Sequence, residues 1–431
     1  MENFFQNFVN YFYRLMFREE ASEKVKDFLK NISYVAVGAV IASFFSFIFN
    51  ILAGRILGPV EYGKFALISS IATFLYIPML LGFNTALVKY VSEKEDFEKQ
   101  SRIISTTFIL IFPLIVVFVF LYFVFAPQLS KILSISPEIF ILSVIFAILF
   151  VFYIITTETI RAIGKMKVFS FLDIVYGFTL LVTFLFFICF RYFSFRAVIF
   201  SVYVAYLAVA CISFFFYIRK YFKLNFDKFW ANKLIKYSLW AIIGGISFAI
   251  YNSLDKILIN KYLAINDVGV YEAYQFASLN IAVLIFGIFN TVFFPAASGH
   301  ENKKTLFKKI NKFLPYLIPL GTLFIFFCEF VILKFYGRKY PFNPLWALLL
   351  GIACVCSFID GAYAWTLASV GEGGVKITSI AAIILALMNI VADIILIPMI
   401  GISGAIIGII LAFMASIATN LFFGRKHLYQ E

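Results

Sequence analysis

Twelve apolar runs, each long enough to cross a bilayer and separated by short charged segments, fill the chain from residue 33 to residue 423. They cover about 33–54, 64–88, 104–126, 138–160, 169–190, 196–217, 237–260, 269–296, 313–335, 343–368, 376–397 and 401–423. A hydrocarbon core about 30 Å thick asks for about 20 apolar residues per helix. Backbone groups inside it must be bonded within the segment, so a chain of this pattern can span only as helices. The 63% hydrophobic and 14% charged content of the 431 residues excludes a water-soluble enzyme and a disordered chain. The expected fold is an all-α polytopic membrane protein of twelve transmembrane helices.

The net charge of +13 would suggest nucleic acid in a soluble protein. Here its distribution gives another reading. Of the 36 Lys and Arg, 26 fall at the termini and in the even-numbered loops, 9 in the odd-numbered loops, and Lys256 lies inside span 7. By the positive-inside rule both termini are cytoplasmic, and no nucleic-acid partner is implied. Residues 1–31 lack a cleavage site and fit an amphipathic helix at the membrane surface. The five cysteines lie in apolar runs, and Cys354 and Cys356 have one residue between them, which is no CxxC site. His300 and His427 fall in a cytoplasmic loop and tail. Neither a metal site nor a cofactor is expected, and catalysis has no visible apparatus: the first external loop, Gly54 to Gly63, offers only Glu61 as a carboxylate. A membrane glycan polymerase or glycosyltransferase, which would need a large external loop, is therefore disfavoured.

Shifting the chain by 206 residues aligns its halves without a gap from Gly38 to Leu114. Gly38 falls on Gly244, Gly63 on Gly269, Phe83-Asn84-Thr85 on Phe289-Asn290-Thr291, and Pro113 on Pro319. Six spans per half is an even number, so the halves are related by an axis along the membrane normal. This predicts an N-lobe over 32–217, a basic linker over 218–236, a C-lobe over 237–424 and a tail over 425–431, the two six-helix lobes facing a central cleft. Gly58-Pro59 and Gly63 predict a tight hairpin between spans 1 and 2. Pro78, Pro113, Pro315 and Pro319 are candidate kinks, and Gly404 and Gly408 a close-packing motif in the last span.

The segments AGRILGPVEYGKFAL and LGFNTALVKYVSE, with SLDKILINKYLAINDVGVYEAYQFAS and FFPAASGH in the second half, resemble polysaccharide-biosynthesis flippases of the Wzx type. These belong to the multidrug/oligosaccharidyl-lipid/polysaccharide (MOP) exporter superfamily. The resemblance implies a MATE-like, two-lobed fold with a V-shaped cavity. It implies movement of polyprenyl-linked oligosaccharide to the outer leaflet of the cell membrane, serving glycan polymerases or transferases. A cation-coupled multidrug exporter is the alternative within the superfamily, with a lipid II flippase as a third reading. A monomer is expected, because one chain supplies both lobes.

Charges inside spans are costly, at about 2.5–3.5 kcal/mol each on insertion scales, and so they mark function or pairing. Lys256, with Arg55 at the outer end of span 1 and Lys89 at the inner end of span 2, is the expected contact for a diphosphate or acidic sugar. Asp255 and Asp360 are expected to serve ion coupling or inter-helix pairing, and Glu329 and Asp393 are further acids inside spans. Glu158, Arg161 and Asp173 are expected at the cytoplasmic interface. Asn50, Asn84, Asn252 and Asn290 can supply hydrogen bonds to sugars or between helices.

Overall fold

The computed structural model describes residues 23–93, 96–223, 225–299, 303–368, 370 and 372–430; side chains are described from residue 37, apart from 280, 283–285, 287–314, 372 and 425–430. Most of the N-terminal segment and His300 lie outside these residues, as do the side chains of Asn290 and His427. The described residues are almost entirely helical, with no strand. In chain order the helices are α1 Glu23–Leu57, α2 Pro59–Leu80, α3 Phe83–Ser92, α4 Phe97–Val124, α5 Ala126–Ile132, α6 Pro137–Ala162, α7 Met166–Cys189 and α8 Phe195–Ser213. They continue as α9 Lys228–Ala249, α10 Asp255–Tyr262, α11 Ile265–Gly299, α12 Lys303–Tyr336, α13 Pro344–Ala368, α14 Glu372–Ile400 and α15 Ile402–Gln430. Wide π-helical turns, Phe214–Ile218 and Ile250–Leu254, extend α8 and join α9 to α10.

Eleven helices among the described residues are long and apolar enough to cross a membrane. They coincide with the expected spans 1–7 and 9–12. The eighth expected span falls on α11, much of which lies outside the residues with described side chains. The protein is thus a multi-pass membrane protein. Helix starts follow local chemistry. Asp96, Ser136, Ser194 and Asp227 each accept a hydrogen bond from a main-chain amide of the first turn, satisfying donors that a helix leaves open. Several hydroxyls within the spans are satisfied locally: those of Ser143, Thr156, Thr157, Thr159 and Ser201 donate to carbonyls one turn back.

The hairpin between spans 1 and 2 is as tight as the breaker cluster predicts. Only Gly58, at φ 80°, separates α1 from α2, and Pro59 opens the new helix. Glu61 pairs with Lys64 and accepts from the Phe195 amide at 3.0 Å, which ties the start of α2 to the start of α8. Span 2 is broken in a way the sequence reading did not anticipate. Leu81 and Gly82 both take positive φ, 47° and 77°, and split the run into α2 and α3.

The chain divides into two compact units, one comprising Val37–Lys261 and the other built on Tyr262–Glu431. In the first, α9 packs against α2, α3 and α4. In the second, α14 lies along α15, and α13 contacts α11, α12, α14 and α15. Gly404 and Gly408 allow that close pairing: a methyl group on Gly404 would come within 2.3 Å of the Leu396 carbonyl oxygen.

Candidate functional site

The charged pair of span 7 sits directly after the second π-helical turn. A π turn carries one extra residue and leaves main-chain groups without their usual partners. Here the Asp255 carboxylate accepts from the Lys256 amide at 2.8 Å, which satisfies a donor at the junction. Asp255 is 0% exposed and Lys256 is 7% exposed. Residues adjacent on a helix point about 100° apart, so burying both requires neighbours on two faces. Each makes further interactions with its surroundings. Asn260, one turn beyond Lys256, donates to the Ser134 carbonyl at 3.3 Å and fixes the end of the span against the loop between α5 and α6.

The other two expected cations occupy different settings. Arg55 is exposed in the last turn of α1, where a cation favours the negative end of the helix dipole. Lys89, on α3, lies 4.4 Å above the Tyr237 ring and 5.7 Å from that of Tyr90, a cation–π arrangement between α3 and α9. Tyr237 and Lys256 belong to one helical stretch, Lys228–Tyr262. Their sequence separation corresponds to about 28 Å of rise. One diphosphate therefore cannot touch Lys89 and Lys256 at the same moment.

In the second unit, Asp360 is an inter-helix tie. One of its carboxylate oxygens accepts from the Ser416 hydroxyl at 2.7 Å and from the Asn420 amide at 3.0 Å, joining α13 to α15. Asp393 of α14 is buried against Gly408; a methyl group there would stand 2.3 Å from the carboxylate. Asn389 is buried one turn earlier on the same helix. Glu329 of α12 is buried beside Ser278 of α11. Among the described residues no three His, Cys, Asp or Glu side chains converge as a metal site.

The most extensive polar-aromatic feature is one the sequence reading missed. Tyr206 of α8 is surrounded by Phe150 and Tyr153 of α6 and Tyr176 of α7, at ring separations of 5.5, 4.9 and 5.5 Å. Tyr76 of α2 continues the cluster onto Phe150 at 4.7 Å. Glu158, paired with Arg161, and Asp173 lie near enough to Tyr153 to act on it electrostatically. Aromatic faces with hydroxyls and carboxylates at their edge suit a ligand with both apolar and hydrogen-bonding faces, such as a sugar ring. The available signal was the choice of Tyr over Phe at positions 76, 153, 176 and 206 in a chain holding 24 Tyr and 58 Phe. No spacing within one helix links four different helices.

The family model for polysaccharide biosynthesis proteins matches residues 28–301. No curated protein sequence matches the chain. Among solved structures, an inward-facing multidrug resistance MATE family transporter of the MOP superfamily is similar, with TM-score 0.67 and 14% identity over 91% of this chain and 98% of that one. The lipid II flippase MurJ, in an inward closed conformation, matches with TM-score 0.66 and 20% identity over 90% and 87%. A MOP superfamily transporter from Pyrococcus furiosus matches with TM-score 0.63 and 13% identity over 93% and 96%. At these identities the likeness is one of fold, and it agrees with the MATE-like architecture that the sequence motifs imply. With the family model matched over well over half of its length, the chain belongs to the polysaccharide biosynthesis protein family.

Proposed function

We propose that this protein is a flippase that carries polyprenyl-linked oligosaccharide, a polysaccharide precursor, from the cytoplasmic to the outer leaflet by alternating access. The observation that carries this reading is the family match over residues 28–301. A multi-pass bundle with the fold shared by a lipid II flippase and by MATE transporters supports movement of a substrate across the membrane. The tyrosine cluster around Tyr206 offers surfaces suited to sugar rings, and buried Lys256 offers a cation for a phosphate or acidic sugar in a low-dielectric setting. Arg55 meets the headgroup where it enters or leaves at the membrane surface. Asp255 and Asp360 are candidates for ion coupling, and the working unit is the monomer.

The test is reconstitution of the full chain into vesicles containing a fluorescent polyprenyl-diphosphate oligosaccharide, with leaflet exchange read by quenching from outside. Protein-dependent exchange is expected, with no movement of a cationic dye. Dye export driven by a proton or sodium gradient, without glycolipid exchange, would instead establish the multidrug reading suggested by the MATE likeness.

A further inference from the structure

Two cavities lie end to end along α4. The first is a polar pocket of about 100 Å³ lined by Glu98, Ser101, Arg102, Ser105, Lys223 and Asn225. The second is an apolar groove of about 420 Å³ between α4 and α6, lined by Phe108, Phe112 and Ile115 on one side, Val151 and Ile155 on the other, and Phe222. That volume lies within the roughly 300–1,000 Å³ usual for ligand sites.

The segment after α8 joins the two. Ser101 donates to the Tyr221 carbonyl at 2.5 Å, and the Lys223 amide donates to the Ser105 hydroxyl at 2.9 Å, so residues 221–223 are stitched to one face of α4. Consecutive residues then fall on opposite sides of the seam. Phe222 packs its ring edge-on to Phe108 at 5.8 Å in the groove, while Lys223 enters the polar pocket.

The depth of the pair matches one leaflet. α4 has 28 residues, about 42 Å of helix, and so exceeds a hydrocarbon core of about 30 Å by roughly two turns. Its polar first turns, Phe97 to Ser105, occupy that excess at the headgroup level. From Ser105 to Ile115 the helix rises about 15 Å, half of the core. The charge selects the headgroup. Arg102 and Lys223 face the pocket with one carboxylate, Glu98, which stands 3.9 Å from Arg102. Among the described residues no acid pairs with Lys223. The net charge of these three groups is a single positive one, which complements a monoanionic phosphodiester better than a diphosphate.

We propose that these two cavities form a binding site for one anionic glycerophospholipid, its phosphodiester between Arg102 and Lys223 and one acyl chain in the groove between α4 and α6. The site is independent of the cargo that the protein moves. The lipid would brace the segment after α8 against α4.

Native mass spectrometry of the full chain in detergent, with equal amounts of dioleoyl phosphatidylglycerol and dioleoyl phosphatidylcholine, tests this. The wild type is expected to retain one phosphatidylglycerol with about tenfold preference. Arg102→Gln with Lys223→Gln should bring the two lipids to parity. Both residues are exposed, and an unchanged melting temperature confirms that the variant folds. Single Arg102→Gln should lose part of the preference. Ile109→Trp, which fills the groove from its partly exposed side, should reduce retention of both lipids. Equal retention by the wild type, an undiminished preference in the double variant, or displacement of phosphatidylglycerol by an equal amount of polyprenyl diphosphate would overturn the assignment.

Discussion

The two halves of this chain share a sequence register but fill its opening positions with different chemistry. In register, Phe49 and Asn50 of the first half stand where Asp255 and Lys256 stand in the second. Phe49 is buried edge-on against Phe184 at 5.2 Å, and Asn50 accepts from the Tyr62 hydroxyl at 3.0 Å, a neutral and self-contained arrangement on an unbroken α-helix. The second-half counterpart places two buried charges after a π-helical turn. A neutral pair in a membrane helix contributes packing; buried charges cost desolvation and are the better candidates for handling a charged headgroup. The backbone differs too. Span 2 breaks at Gly82, whose positive φ lies within close reach of α9, with a methyl group there 2.6 Å from the Ser238 carbonyl. The corresponding positions carry Gly287-Ile288, and α11 runs on without a break. Matching positions in the register thus differ in backbone as well as in charge: the helix breaks at Leu81-Gly82 and runs on at Gly287-Ile288.

The largest effect is expected where this contrast is sharpest. Lys256→Ala removes a buried cation from span 7, and glycolipid exchange in reconstituted vesicles should fall at least about tenfold, the equivalent of about 1.4 kcal/mol of lost headgroup contact. Asn50→Ala, its partner in the repeat, should cost only about 0.6–1.7 kcal/mol of detergent melting stability and leave exchange near wild type. Equal losses of exchange would erase the distinction between the two positions.

Gly38 and Gly244 give a second, purely steric comparison. A methyl group on Gly38 would stand 1.8 Å from the Ser170 hydroxyl and 2.9 Å from its carbonyl oxygen, whereas Gly244 faces open space. Gly38→Ala should destabilise by about 1–3 kcal/mol through forced separation of α1 and α7. Gly244→Ala should stabilise by about 0.5–1 kcal/mol through helix entropy. Thermal unfolding of the two single variants reads the opposite signs.

Asp360→Ala removes the shared acceptor of Ser416 and Asn420, and should cost about 1–3 kcal/mol. Asp360→Asn, which keeps one acceptor oxygen, should recover part of that stability if the residue is mainly a tie. If Asp360→Asn melts like the wild type but loses dependence of exchange on a proton or sodium gradient, ion coupling is its role. Lys89→Gln should have a small effect, about 0.5–1 kcal/mol from the lost cation–π contact with Tyr237. A loss of exchange as large as that of Lys256→Ala would show that the two cations act in sequence on one substrate.

The membrane class, the positions of eleven spans and the hairpin at Gly58-Pro59 were legible in the sequence because each rests on local physics: apolar length, backbone closure and the fixed φ of proline. Gly404 and Gly408 were legible as close packing for the same reason, since a missing Cβ has few other uses in an apolar helix. The buried acids could be named individually, because charge inside a span is rare. Their partners could not. Ser416 and Asn420 reach Asp360 from another helix, and no spacing within α13 announces them.

What the sequence determined by itself was the solvent: a chain this apolar, in runs of this length, must satisfy its backbone as helices in lipid. The gapless register of Gly38 to Leu114 on the second half was likewise readable from the sequence alone. The tertiary structure alone decided which tyrosines meet around Tyr206, that a π-helical turn precedes Asp255 and Lys256, and that Lys89 rests on Tyr237 some 28 Å of helix from Lys256. These outcomes depend on how separate helices are rotated and set against one another. The lipid-facing and protein-facing sides of a membrane helix are both largely apolar, so hydrophobic pattern does not fix that rotation; it is fixed by small residues, hydrogen bonds and ring contacts between helices distant in the chain.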